Sequence, residues 1–246
     1  MADKYVSDLP AASALLGTEI LHVVQGGNSR KATTQAMANL ATMNYSYEAG
    51  PPGTVPAVAD LTWVNQGTST ITEGSRALIL KAQSNSVIHG MDMAAPSAPF
   101  DIYMRVDTNG LSTAANTVSQ LLTAGIMLTD GSDSERVLIQ RWTNRVAGDE
   151  QNEYGVALER WNNITFSANV FTRRSTMPWQ WLRATVDSTT ITIYCSMDGR
   201  NWHLIATEAL SAYIDAVTRV GFYILADTNV TEAYALISYF SFTPPV

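Results

Sequence analysis

Carboxylates and tryptophans are the side chains of this 246-residue chain best suited to act on another molecule. Glu150, Glu153 and Glu159 lie in or beside the alternating stretch EYGVALERW. Hydrolysis of a glycosidic bond takes two carboxylates in one cleft, about 5–5.5 Å apart in a retaining mechanism. No Glu-x-Asp-x-x-Glu run sets such a pair on one strand face, and Glu153 and Glu159, six residues apart, read as outward-facing. On that ground the chain is expected to have no catalytic residue and no enzymatic activity. The three histidines, His22, His89 and His203, stand far apart without an HExxH or CxxC companion, so no zinc centre is expected. Asp130, Ser132, Asp133 and Glu135 supply hard oxygens of the kind calcium takes. They lack the glycine-centred spacing of an EF-hand, and a solvated hairpin tip is the simpler reading. No metal and no cofactor is expected.

Trp142, Trp161, Trp179, Trp181 and Trp202 fall at strand ends or turns. An exposed indole stacks on the apolar face of a sugar with a large contact area and little entropy cost. Large apolar rings otherwise pack inside, and Trp181 and Trp202 are assigned to the core. Trp142, Trp161 and Trp179 are then the candidate glycan contacts. Arg173 and Arg174, close to Pro178-Trp179 in TRRSTMPWQW, also suit a subunit interface.

The elements that would carry these residues are strands. Phe100, Ile102, Met104 and Val106 alternate with Asp101, Tyr103, Arg105 and Asp107, which predicts a half-buried antiparallel strand. AGIMLTDGSDSERVLIQRW reads as a hairpin, and further strands follow at turn spacings of roughly eight to twelve residues, the rhythm of a sandwich. The single cysteine, Cys195, is in phase with Ile191 and Ile193 and is expected in the core as a small hydrophobe. Three zones result: an arm over 1–43, a Pro/Gly-rich linker over 44–60 and a β-sandwich over 61–246. In the arm, EILHVVQ and SRKAT flank a Gly26-Gly27 turn. Thr33 or Thr34 can cap a short helix with Ala36, Met37 and Leu40 on one face. A helix of about ten residues is marginal alone; its apolar stripe predicts a partner, such as two copies of itself in a trimer.

Net charge is −7, and the arm contributes none of it, because Asp3, Asp8 and Glu19 balance Lys4, Arg30 and Lys31. An acidic sandwich repels phosphate backbones and anionic bilayers, so neither nucleic acid nor membrane is an expected partner. No 18-residue apolar run and no signal-peptide pattern is visible, which predicts a chain made in a cytoplasm.

Two resemblances sharpen these expectations. WLRATVDSTTITIYCSMDGRNWHLI, Trp181 to Ile205, resembles a segment of concanavalin-A-like sandwiches that closes in Ser-x-Asp-Gly-x-x-Trp, with Asp198-Gly199 as the turn and Trp202 folding back over it. The fold class implied is mainly β, an antiparallel concanavalin-A-like β-sandwich behind a hairpin-plus-helix arm. The stretch SDLPAASALLGTEILHVVQGGNSRKATTQAMANL resembles the N-terminal module of tailed-phage virion proteins. The matching residues are Leu9, Pro10, Gly17, Glu19, Val24, Gln25, Gly26, Gly27, Lys31, Ala32 and Thr33. This resemblance implies a virion protein whose arm, with Val23 and Val24 as apolar contacts, docks on the major capsid protein or another virion protein. Ala36, Met37 and Leu40 would hold a homotrimer. With one knob and no shaft repeat, a capsid decoration is favoured; the alternative is a tail fibre whose sandwich binds a host surface glycan.

Overall fold

The computed structural model describes residues 20–25, 28–33, 55–74, 77–83, 85–111, 120–130, 135–145, 152–175, 178–228, 230 and 232–243. The chain divides into two compact units, Met1–Ala49 and Gly50–Val246. In the first, β1 (Ile20–Gln25) and β2 (Asn28–Thr33) form an antiparallel hairpin, with Ile20 opposite Thr33, His22 opposite Lys31 and Val23 opposite Arg30. The expected helix and the arm residues Leu9, Pro10, Gly17, Glu19, Gly26, Gly27, Ala36, Met37 and Leu40 lie outside the described residues.

The second unit holds β3 (Thr62–Val64), β4 (Thr70–Glu73), β5 (Leu78–Ala82), β6 (Ile88–Ala94), β7 (Phe100–Leu111), β8 (Gln120–Thr129) and β9 (Glu135–Arg145). It continues with β10 (Asn152–Asn162), β11 (Thr165–Ser175), β12 (Trp181–Val186), β13 (Thr190–Ser196), β14 (His203–Ala209), β15 (Arg219–Ala226) and β16 (Glu232–Thr243). Among the described residues these make two antiparallel seven-stranded sheets, ordered β11-β10-β9-β8-β15-β6-β3 and β14-β13-β12-β7-β16-β5-β4.

Period-2 alternation builds the layer between them. Phe100, Ile102, Met104 and Val106 of β7 are buried beside Leu182, Ala184 and Val186 of β12 and Ile191, Ile193 and Cys195 of β13. The first sheet contributes Leu122, Ala124, Ile126 and Leu128 of β8 and Val220, Phe222 and Ile224 of β15 to the same core. Burial pushes the Cys195 thiol up to about 12, so it stays an inert thiol. Val55 and Val58 also pack on this core, and Val58–Asp60 makes a 3₁₀ turn. The last residues of the expected 44–60 linker therefore sit with the sandwich.

The core does not take Trp181 and Trp202. Trp181 is in phase with Arg183 and Thr185 and opposite to Leu182, so the pleat turns it to the outer face of the second sheet. There its ring lies against Tyr239, with ring centroids 5.3 Å apart, and under the turn at Gly199. A Cβ at Gly199 would stand 2.9 Å from that indole, and its φ of +71° is itself a glycine conformation. Trp181, not Trp202, thus covers the Asp198-Gly199 turn, while Trp202 rests edge-on against Tyr103. Asp101, on the same outer face, is fully buried because Arg183, Thr185 and Tyr103 all donate to its carboxylate.

The sheet edges are short or irregular. β3 and β4 have three and four residues. The pairing of β11 with β10 and of β14 with β13 is broken by register shifts. Short edge strands and bulged pairing both make a sheet edge a poorer template for another chain.

Candidate functional site: a cleft on the outer face of the first sheet

Strand pleating sets Val64, Ile88, Met127, Trp161, Tyr223 and Leu225 on the face of the first sheet that points away from the core, where they form a second buried cluster with Ile164 packed against it. The register lays Tyr223 between Gly125 of β8 and Gly90 of β6. A Cβ at Gly90 would stand 2.6 Å from the Phe222 carbonyl oxygen and 3.0 Å from Tyr223 Cβ, so glycine is required for this close approach. Tyr223 is wholly buried, and burial, then the neighbouring Glu159 charge, raise its phenol well above the usual range, opposed by the nearby Thr123 side chain.

This cluster requires a strongly curled sheet. Phe166 of β11 and Leu225 of β15 are four strands and about six register positions apart, which on a flat sheet is about 28 Å. Both nonetheless line one cleft of about 260 Å³, with Ser86, Leu121, Thr123, Glu159, Trp161 and Asp227. The right-handed twist of adjacent strands brings one diagonal of a wide sheet toward itself. Two register shifts between β10 and β11, at Leu158/Glu159 and Arg160/Trp161, add local bend at the right place.

The cleft has an apolar floor and carboxylate walls. Trp161 donates from Nε1 to Glu159 Oε2 at 2.8 Å and meets Phe166 edge-on, with centroids 5.9 Å apart. Trp161 is 6 % exposed and Phe166 is 50 % exposed, so the accessible ring is the phenylalanine. Across the cleft, Asp227 Oδ1 accepts from the hydroxyls of Thr228, at 3.1 Å, and Ser86, at 3.5 Å. Ser86 is itself tied down by its N–H to the Ala226 carbonyl at 2.9 Å. Chemically, the lining combines a half-exposed aromatic ring with two carboxylates that take hydrogen bonds from hydroxyl or amine donors.

The sequence expectations fall unevenly on this geometry. Trp161 reaches the cleft, but as a buried wall instead of an exposed platform, because the hairpin carrying it folds onto Met127 and Leu225. Trp179 is half-buried, packs against the inter-sheet core and stands 5.4 Å from the His203 ring, so it takes no part in the cleft. The backbone register places Trp142 opposite Thr123 and Gly155; its side chain lies outside the described residues. Of the Asp130–Glu135 stretch, residues 131–134 lie outside the described residues, and no cluster of three metal-ligating side chains occurs among the described ones. Glu159 faces outward as expected. Phe166, Ser86, Thr123 and Asp227 were missed. The one local signal was Phe166, an apolar ring two residues beyond the Asn-Asn-Ile turn, in a strand whose neighbours are polar.

No protein-family model and no curated protein sequence matches the chain. Among solved structures, it superposes on the GH43 protein BlXynB (K247S mutant) of Bacillus licheniformis with a TM-score of 0.51 and 16 % identity. That superposition covers 79 % of this chain and 38 % of the other, so the match is to part of that protein. The legume lectin-like domain from Entamoeba histolytica gives 0.46 and 9 % identity over 77 % of this chain and 92 % of that one. The VIP36 exoplasmic/lumenal domain, in its Ca²⁺/Man₃GlcNAc-bound form, gives 0.48 and 7 % identity over 78 % and 87 %. The GH43 match corrects the expectation of a chain without enzymatic activity, since glycoside hydrolase chains carry this fold. The absent Glu-x-Asp-x-x-Glu run was no safe ground, because tertiary curling sets Glu159 and Asp227 in one cleft from strands far apart in sequence. What the chain shares with the GH43 structure is its fold, an antiparallel β-sandwich.

Proposed function

We propose that the sandwich binds carbohydrate in this cleft, and that the arm over residues 1–43 fastens it to a larger assembly of the tailed-phage virion type. The observation that carries the first part is a cleft whose lining combines the half-exposed Phe166 ring with the Glu159 and Asp227 carboxylates. A sugar ring is amphipathic: its C–H face stacks on an aromatic ring, and its hydroxyls donate to carboxylates. A flat apolar ligand would strip water from both carboxylates without donating to either, which costs binding free energy. Phe166→Ala and Asp227→Asn should each weaken binding to a responsive glycan by more than about tenfold in calorimetry, a loss of about 1.4 kcal/mol. Retention of affinity within about twofold in both variants would sink the reading.

The second part is supported by the motif spanning Ser7–Leu40 and by the β1–β2 hairpin within the Met1–Ala49 unit. In this reading the arm docks on the major capsid protein or another virion protein, and Ala36, Met37 and Leu40 join three copies. The glycan would then belong to the host surface or its surroundings. A capsid decoration and a tail-fibre tip are the two placements, and they differ in copy number per particle.

A further inference from the structure

Resting on the carbohydrate reading, we infer that the cleft takes the terminal residue of a glycan and not an internal stretch of the chain. The outer face of the first sheet is bridged. Trp161 and Ile164, at the tip of the β10–β11 hairpin, belong to one packed cluster with Val64 of β3 and Ile88 of β6, on the far side of the same sheet. A polymer lying along that face meets this bridge of side chains and stops there. The tip is fastened from behind as well. Arg160, between the bulged residues, turns to the inner side, forks its Nε and Nη2 onto Glu208 Oε1 of β14 and covers the Tyr213 ring at 5.4 Å. The bridge is therefore tied to the second sheet as well as to the floor.

Size and chemistry agree with an end-on ligand. At about 260 Å³ the cleft falls below the ~300–1,000 Å³ of pockets that enclose drug-sized molecules. It offers one exposed aromatic face, Phe166, which is one ring's worth of stacking. Glu159 is bonded to Trp161 of the bridge and Asp227 directly follows β15, so the two acceptors come to the cleft from different strands. A terminal sugar keeps the hydroxyl through which an internal residue would be joined to the next, and that hydroxyl donates to one of these carboxylates. An internal residue has that oxygen substituted, forgoes that hydrogen bond and carries a further residue into the bridge.

The test uses the full chain on a glycan array that presents glucose, galactose, mannose and xylose in terminal and in internal positions. Calorimetry then follows with methyl glycosides of these sugars and with the responsive oligosaccharide series. Terminal presentation should be bound, internal presentation should not, and affinity should change by no more than about threefold as the chain lengthens. Binding to internal positions, or a gain of about tenfold or more with length, would overturn end recognition while leaving the carbohydrate reading intact. An array with no response to any sugar would overturn both. Phe166→Ala locates the site: if the terminal-sugar signal survives it unchanged, the cleft is not where the ligand binds, and the inference fails.

Discussion

Asp187 closes the β12–β13 turn with a single carboxylate. Its Oδ1 accepts from the N–H of Thr189 at 2.6 Å and of Thr190 at 2.7 Å, and the hydroxyls of both threonines add two more bonds. These donors hold its pKa down at about 2. A depressed carboxylate contributes stability that is complete above the unfolded value of about 3.9 and is lost as pH falls through the folded one. Asp187→Asn should therefore melt below the wild type at neutral pH, with the gap closing as pH drops from about 4 to about 2. A gap that stays constant over that range would show that the carboxylate charge is not what the turn uses. Asp198 repeats the device, accepting from the N–H groups of Arg200 and Asn201 and from the Asn201 side chain, and is likewise held low. The Asp198-Gly199 turn was legible in sequence, whereas Asp187 carried no mark of its role. Phe166 was not legible either, because an aromatic in a strand carries no mark of which face the tertiary structure leaves open.

The β10–β11 hairpin is the element on which the site depends. Its two register shifts bend it over the outer face, and the Arg160–Glu208 pair ties it to the second sheet. Glu208 is 4 % exposed and Arg160 is 28 % exposed, so removing the guanidinium leaves a buried carboxylate without its partner. Arg160→Met should destabilise the chain by about 2–4 kcal/mol in urea unfolding, below the ~3–5 of a fully buried pair because water reaches the arginine. Arg160→Met combined with Glu208→Leu should recover most of that loss. A single variant costing less than about 0.5 kcal/mol would mark the pair as an ordinary surface bridge. The same variant loosens the bridge across the sheet, so glycan affinity should fall with it. None of this could be read from EYGVALERW, where Arg160 looks like one more solvated charge: its partner is 48 residues away, on the other sheet.

At the scale of the whole molecule the two units make separable predictions. Deleting residues 1–43 should leave the melting temperature of the sandwich within about 2 °C and abolish incorporation into particles. Incorporation of the truncated chain would sink the virion-arm proposal. Counting copies per purified particle against the major capsid protein then chooses the placement: hundreds mean a shell decoration, and a few tens or fewer mean a tail appendage. Among the described residues the sandwich has short edge strands at β3 and β4 and bulged pairing at β11 and β14.

Alternation by itself determined that this chain is an antiparallel sandwich, which residues of β7 and β13 fill its core, and that Cys195 is inert. Those properties follow from the pleat, which is a local rule with a period of two. Trp181 was placed wrongly only because a large ring was given priority over that period, and the pleat prevailed. The cleft belongs to the tertiary structure alone. Residues from Ser86 to Asp227 meet there because a wide twisted sheet folds a diagonal onto itself, and that folding depends on bulges, glycine contacts and a cross-sheet ion pair far apart in the chain.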